Sequence, residues 1–452
     1  MKILIPKEVN FIINTFYKNN YEAYMVGGCV RDSILGLNPK DYDITTSAKP
    51  ENTISLFKKT IPTGLKHGTV TVLINSNPYE VTTFRTDGNY LDNRRPSTVN
   101  FVTDIKEDLS RRDFTINALA YNEINGLIDY FNGVNDIENK IIKCVGDPDK
   151  RFKEDALRML RAIRFSCQLS FDIDTNTLNA IKNNSLLITN ISKERIRDEL
   201  CKILLSPNPS KGLEIMKDTK LLEIVLPDIN ALVDFSPKCT NHNRNVFSHT
   251  LKVLDNTESD LILRLSALFH DVGKINTLTP FNNGSFYGFP GHCLEGSLMV
   301  KKILSDLRFD NNTIKIVSKL IEHHLVLDVN NMPTKYEIKK LINSVGKDSI
   351  YLLFKLQRAD ITSLNNPEPF LKKVSYNEYL VRDILQNNEP LTIKDLKITG
   401  EDLINILDIK PGKLIGETLN YLLEKVLEDS NQNSKELLIE LGKDFIYKKV
   451  QQ

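Results

Sequence analysis

The sequence predicts an α+β protein: a small α/β head at the N-terminus, then an all-helical neck and body, a further helical domain and C-terminal helices. Three observations carry this. Before about residue 145, short β-rich runs such as TVTVLI (69–74) and YEVTTF (79–84) alternate with helical patterns. From Pro148 onward, apolar residues recur at i, i+3 and i+4 in ALRMLRAIRF, TLNAIKNNSLLI and RIRDELCKILL, and no further strand is expected. A chain of 452 residues with 41% hydrophobic content has enough apolar surface for several cores. The polar, aperiodic stretch around Pro237 reads as a linker, and Asn365 to Pro369 as a second break. The expected division is 1–145, 146–235, 236–365 and 366–452.

Within the head, VGGCVRD (26–32) precedes KDYDIT (40–45). The order predicts a glycine turn, a short helix, and a strand carrying Asp41 and Asp43. Side chains at i and i+2 share a face of a strand, so the two carboxylates are expected side by side with Tyr42 turned into packing. Paired carboxylates on a rigid strand suit Mg²⁺, which prefers oxygen ligands and keeps substrate phosphates in its shell. Gly27 and Gly28 allow close backbone approach to a triphosphate, and Arg31 can add charge-assisted bonds.

Composition limits the partners. A net charge of +1 gives no global polyanion signature, so RNA would bind through local patches. One such patch is Lys140 to Arg164, with eight basic residues against four acidic. The six cysteines show no CxxC spacing, which argues for reduced buried thiols rather than a zinc ribbon or disulfide framework. MKILIPKEV is too short in apolar residues for a signal peptide, and no run approaches a membrane span. A cytoplasmic protein without membrane contact is expected.

The glycine and Asp-x-Asp segments are joined downstream by TFRTDGNYLDNRRPSTVNFV (83–102), RRDFTINALAYN (111–122) and the stretch Gly126–Phe165. Together, from residue 20 to 170, they resemble the tRNA CCA-adding enzymes and bacterial poly(A) polymerases of the polymerase-beta-like superfamily. The resemblance implies a nucleotidyltransferase head, Mg²⁺ on Asp41 and Asp43, and CTP, ATP and tRNA as partners. Arg112 and Asp113, with Asn117 one helical turn on, suit a ribose hydroxyl and a phosphate oxygen. The resemblance matches Glu154, Asp155 and Arg158 to a base-reading EDxxR motif. A carboxylate accepts from the exocyclic amino group that cytosine and adenine share, while a guanidinium donates to the adjoining ring acceptor. Gly28, Arg31, Arg161 and Arg164 carry over as nucleotide contacts, and Glu80 is a candidate third acid. Asp155, Arg158, Arg161 and Arg164 recur at intervals of three, a slanting stripe on a helix. An ion pair between Asp155 and Arg158 is the bland alternative. Poly(A) synthesis or partial CC or A addition are the rivals within the family; an intact 85–102 loop argues against the CC-only type.

Six of the seven histidines fall between His242 and His324. His249, His270 and Asp271 in LFHDVGK, and Asp360 in LQRADI resemble the metal-dependent HD phosphohydrolases. That resemblance implies a divalent metal on His249, His270, Asp271 and Asp360, able to activate water against a phosphoester. His292 and either His323 or His324 would complete a second position. Such a domain could trim phosphorylated 3′ ends, or be the working part of a chain with a relic head. Lone His67 reads as a structural or loop residue.

Overall fold

The computed structural model describes residues 3–88, 98–236, 245–281, 286–326, 331–407 and 410–450. Cys239, His242, most of the stretch around Pro237 and the centre of the 85–102 loop lie outside the described residues. The chain forms two compact units, Met1–Asn230 and Ala231–Gln452.

The first unit opens with α1 (Lys7–Lys18), β1 (Ala23–Val26), α2 (Gly28–Ile34), β2 (Asp43–Thr46) and α3 (Pro50–Leu56). Strands β3 (Thr60–Gly64), β4 (Thr69–Ile74), β5 (Asn77–Thr83), β6 (Arg85–Asp87) and β7 (Val99–Phe101) follow. Then come α4 (Ile105–Ser110), β8 (Ala120–Asn122), β9 (Gly126–Ile128) and α5 (Gly133–Glu138). Seven strands make one sheet in the order β3-β4-β5-β2-β1-β8-β9, while β6 and β7 pair separately. Only β2 and β5 run parallel in that sheet, with Ile44 beside Val81. Alternate apolar side chains of these strands bury against α4: Tyr24, Val26, Phe84, Ile105, Leu109 and Ala120 form one core cluster.

The rest of this unit is helical apart from β10 (Ile141–Ile142) and β11 (Asp172–Ile173). Its helices are α6 (Pro148–Glu154), α7 (Leu157–Leu169), α8 (Thr175–Asn184), α9 (Lys193–Leu204), α10 (Pro209–Asp218), α11 (Leu221–Val225) and α12 (Pro227–Asn230). Pro148 occupies the first turn of α6, and the Asp147 carboxylate caps that helix by accepting from the Asp149 N–H. α7 packs on α9 and α10. Gly212 on α10 permits this approach, since a Cβ there would lie 2.5 Å from Ile203 and 2.9 Å from the Cys167 sulfur.

The second unit comprises α13 (Val246–Asp255), α14 (Leu261–Phe269), the hairpin β12 (Thr279–Phe281) and β13 (Phe286–Gly288), α15 (His292–Asp306) and α16 (Asn311–Glu322). It continues with α17 (Lys335–Val345), α18 (Ile350–Ile361), α19 (Glu368–Gln386), α20 (Gly400–Leu407), α21 (Lys413–Glu428) and α22 (Lys435–Val450). Strand β11 and the hairpin β12–β13 correct the expectation of no strand after Pro148. Runs of two or three residues are too short to show period-two patterning. Among the described residues, no helix is long and apolar enough to cross a membrane.

Candidate functional site

A cleft of about 410 Å³ in the first unit is lined by Gly27, Gly28, Arg31, Asp43, Arg112, Asp113, Asn117, Asp155, Arg158 and Arg161. Gly27, at φ +75°, turns the chain from β1 into α2. The dihedral favours glycine here, and a Cβ would stand 3.0 Å from Arg112 Nη1, so the guanidinium packs closely on the turn. Arg112 Nη2 reaches Asp108 at 3.4 Å, while its buried Nε has no hydrogen-bond partner.

The two acids of KDYDIT are placed differently from expectation. β2 begins at Asp43, paired with Val26 at the end of β1, and Asp41 lies ahead of the strand, exposed and outside the cleft lining. The strand alternation that would align the two side chains does not extend to Asp41 because β1 offers it no partner. Crowding by the cleft walls and the nearby charge of Asp41 raise the Asp43 pKa, against the pull of Arg112. Glu80 is exposed on β5, one residue before the Ile44–Val81 pair, as Asp43 is on β2.

RRDFTINALAYN is not a helix start. Arg112 to Phe114 pass through a loop into a single 3₁₀ turn, Thr115–Asn117. The ends of the segment Asp113 to Asn117 are still bridged, because Asn117 Nδ2 donates to Asp113 Oδ1 at 3.1 Å. Arg31 Nη1 donates to Asn117 Oδ1 at 2.6 Å, and Arg161 Nε and Nη2 donate to Asp113 Oδ2 at 2.8 and 2.6 Å. Burial alone would raise the Asp113 carboxyl, but Arg161 and Arg158 hold it well below the usual carboxylate range. Asp113 thus lines the cleft and at the same time holds Arg161 and Asn117 in place.

The stripe predicted on one helix is broken at its first member. α6 ends at Glu154, and Asp155 sits in the junction before α7 with φ −140°. Arg158 donates to Glu154 at 2.8 Å and to the Arg111 carbonyl at 3.0 Å, so the Asp155–Arg158 ion pair is not formed. Asp155 instead accepts from Arg195 on α9, at 2.8 and 3.3 Å. Arg164, expected at the nucleotide, does not line the cleft: it is buried against Glu199 of α9 at 2.9 Å. Burial and the neighbouring Arg161 depress its pKa to about 10. Arg111, Phe165 and Arg195 also line the cleft and were not foreseen. The guanidinium carbons of Arg31, Arg161 and Arg164 stand 5.0, 5.5 and 4.2 Å from the Phe165 ring centre, a convergence that only the fold brings about. His67 is exposed, and its carbonyl accepts from Arg85.

In the second unit the histidines converge from separate helix ends. His249 lies on α13, His270 and Asp271 follow α14, His292 opens α15, His324 follows α16, and Asp360 lies on α18. His249 Nε2 is 3.1 Å from Asp360, 3.4 Å from Asp271 and 3.1 Å from His270 Nε2. His270 Nε2 is 3.1 Å from Asp271 Oδ2. His292 and His324 bring Nε2 to 3.7 and 3.9 Å from Asp271 Oδ1. His323 turns away to Ser344 Oγ at 2.8 Å, so His324 is the member of the pair that joins the cluster.

The ring tautomers follow from the partners. His270, His292 and His324 each direct Nδ1 at a backbone carbonyl, at 2.8, 2.8 and 2.7 Å. A carbonyl only accepts, so Nδ1 carries the proton and the Nε2 lone pairs face inward when the rings are neutral. Asp271 Oδ1 is buried without a hydrogen-bond partner, while Lys274 donates to Oδ2 at 2.6 Å. Burial lowers the His292 and His324 pKa values, the latter to about 3; in His270 the burial effect is outweighed by Asp271, which raises it. Inward lone pairs around an orphaned carboxylate oxygen fit a divalent cation. Gly273 makes the arrangement possible. A Cβ there would fall 2.2 Å from the His292 carbonyl oxygen, so only glycine lets the HDVGK turn rest on the start of α15.

The cysteines form no disulfide among the described residues. Cys29, Cys144 and Cys167 are buried, whereas Cys201 and Cys293 are half-buried. Cys293 stands within the histidine cluster, 3.6 Å from His292 Nε2.

Three family models match the chain: "Poly A polymerase head domain" over residues 23–143, "Probable RNA and SrmB- binding site of polymerase A" over 170–232, and tRNA nucleotidyltransferase domain 2 over 292–441. The CCA-adding enzyme of Ligilactobacillus salivarius is 36% identical over 97% of this chain and 96% of its own. That of Pediococcus pentosaceus is 37% identical over 93% of each. The crystal structure of the Bacillus stearothermophilus CCA-adding enzyme in complex with CTP is 28% identical, with TM-score 0.72 over 99% of this chain and 100% of that one. End-to-end identity at this level, together with a cleft built from the head, α7 and α9, establishes that the chain belongs to the CCA-adding enzyme family.

Proposed function

We propose that the protein adds C, C and A to the 3′ end of tRNA, using CTP and ATP and releasing pyrophosphate. The observation that carries this reading is the gathering of Asp43, Arg112, Asp155 and Arg158 in one cleft. Asp41 and Asp43 would hold Mg²⁺: the Asp43 carboxylate is partly desolvated in the cleft, with a second carboxylate, Asp41, near it, and oxygen donors of this kind suit that cation. Bound there, Mg²⁺ would supply a lowered pKa for the primer hydroxyl and charge stabilisation for in-line displacement. Arg31 and Arg112 line the cleft and offer guanidinium donors to the triphosphate. Asp155 and Arg158 face the base edge, where a carboxylate and a guanidinium select the pattern common to C and A without a template. Arg195 and Glu154 fix their directions. The helices after residue 148 hold the tRNA acceptor end through backbone and shape.

The test is incubation of the protein with tRNA lacking its CCA end. Two additions with CTP alone, and a third only when ATP is present, support the reading. Long ladders with ATP alone, or no extension, overturn it.

A second activity is favoured by the inward Nε2 atoms and the orphaned Asp271 Oδ1. His249, His270, Asp271 and Asp360 hold a divalent metal as in HD phosphohydrolases, and Asp271, His292 and His324 frame a second position beside it. A metal there supplies a water-derived nucleophile for phosphoester cleavage. Metal analysis of wild-type protein and Asp271→Ala checks this: the variant loses tightly held metal if the reading is right.

A further inference from the structure

We infer that the thiol of Cys293 is a ligand of the second metal position, making that position one for a soft, zinc-like cation rather than magnesium. The inference rests on the HD reading above and goes beyond it in naming a sulfur donor. The imidazoles alone leave the position open. His292 and His324 stand against Asp271 Oδ1 at 3.7 and 3.9 Å, which gives two nitrogens and one oxygen. Ligand atoms of His292, Cys293 and His324 all lie within 4.8 Å of one another, the spread of donors around a single ion. Nitrogen, sulfur and carboxylate donors of this number make the four-coordinate shell that zinc prefers.

Two observations independent of the cysteine point to a ligand here. Asp271, 1% exposed, has its Oδ1 buried and without a hydrogen-bond partner, although a buried carboxylate oxygen normally finds one. The Nδ1 atoms of His292 and His324 are tied to the carbonyls of Phe289 and Ile321, which fixes the rings and leaves Nε2 as the donor atom. Cys293 Sγ then has a defined role in the metal-free molecule. His292 Nε2 has no proton when the ring is neutral, so at 3.6 Å the S–H is the donor to it. Metal binding takes over both ends of that contact: a metal–sulfur bond and a metal–nitrogen bond form, and the thiol proton leaves to solvent. Thiolate ligation selects zinc and its relatives over magnesium or calcium, which take oxygen.

The experiment uses the full chain, stripped of metal by a chelator, loaded with cobalt(II) as a spectroscopic stand-in for zinc, and gel-filtered. Wild-type protein is expected to show a near-ultraviolet thiolate-to-cobalt charge-transfer band. Cys293→Ser should lose the band while keeping the cobalt held by His249, His270, Asp271 and Asp360, with circular dichroism unchanged. Retained cobalt without the band, or a band that survives in Cys293→Ser, overturns the sulfur ligand and leaves the HD metal reading standing. No retained cobalt in wild-type protein overturns both. A measurement that needs no variant is X-ray absorption at the zinc edge of zinc-loaded wild-type protein: a sulfur shell at about 2.3 Å supports the assignment, and a shell of nitrogen and oxygen alone overturns it.

Discussion

The carboxylate of Asp155 is held by Arg195 of α9, at 2.8 and 3.3 Å, and not by Arg158, its neighbour in the EDxxR segment. This leaves Arg158 oriented by Glu154 and by the Arg111 carbonyl, so the two groups proposed to read the base are each fixed from behind by a different partner. Arg195→Ala should therefore loosen Asp155 without removing it. A charge-assisted hydrogen bond is worth about 1.5–3 kcal/mol, so the KM for CTP and ATP should rise roughly tenfold or more. Discrimination against UTP should fall, whereas the turnover number changes less. Steady-state kinetics with each nucleotide separates these effects, and an unchanged KM would remove Arg195 from the site.

The pair Asp113–Arg161 gives a prediction with a pH signature. Its carboxyl is depressed by Arg161 and Arg158 against the opposing effect of burial. A depressed carboxylate contributes stability above its unfolded pKa of about 3.9, and that contribution fades only as the pH falls toward the lower folded value. Asp113→Asn leaves the Arg161 guanidinium facing an uncharged amide, at a cost of about 3 kcal/mol. The difference in urea stability between wild type and variant should stay flat from about pH 7 to 5 and shrink below about pH 4. A deficit that varies across the neutral range would assign the effect to another group.

What the sequence disclosed and withheld follows from range. The glycine turn, α2 and β2 were legible because Gly27, Gly28 and the DIT run are local signals. Asp41 was misplaced by two residues because strand ends are set by the partner strand, here the end of β1 at Val26. Arg164 looked equivalent to Arg158 and Arg161 by spacing. Only the packing of α9 shows that it meets Glu199 instead of the cleft. The same limit governed the histidines. HDVGK marked His270 and Asp271, but the choice of His324 over His323 depends on how α16 ends beside them, with the His323 ring drawn off to Ser344 of α17. The lack of CxxC spacing drew attention away from Cys293, which is adjacent to His292 in sequence and 31 residues before His324.

Gly273→Ala probes the contact that brings Asp271 to His292. The added Cβ would lie 2.2 Å from the His292 carbonyl and 2.5 Å from the Gly296 nitrogen, both backbone atoms that a rotamer change cannot clear. Relief requires the HDVGK turn to move off α15, with overpacking costs of about 1–3 kcal/mol. The variant should melt several degrees below wild type and bind tightly held metal more weakly. Normal stability with normal metal content would show that the turn has more room than the geometry gives.

The two units carry separate acids, and substitutions at Asp43 and Asp271 should therefore dissociate the proposed chemistries. Asp43 lines the cleft with Arg112 and Arg158, whereas Asp271 is enclosed by His249, His270, His292 and His324. Asp43→Asn preserves shape while removing the charge that holds the cation. Loss of a metal ligand costs several kcal/mol of transition-state stabilisation, so nucleotide addition to tRNA should fall by about a thousandfold or more. Hydrolysis of a generic phosphoester such as p-nitrophenyl phosphate should be unaffected. Asp271→Asn should do the reverse, abolishing that hydrolysis and the tight metal while CTP and ATP are still incorporated. Parallel assays of both variants decide the matter: if Asp43→Asn retained addition, the site assignment in the head would fail, and if Asp271→Asn retained hydrolysis, the histidine cluster would not be its source.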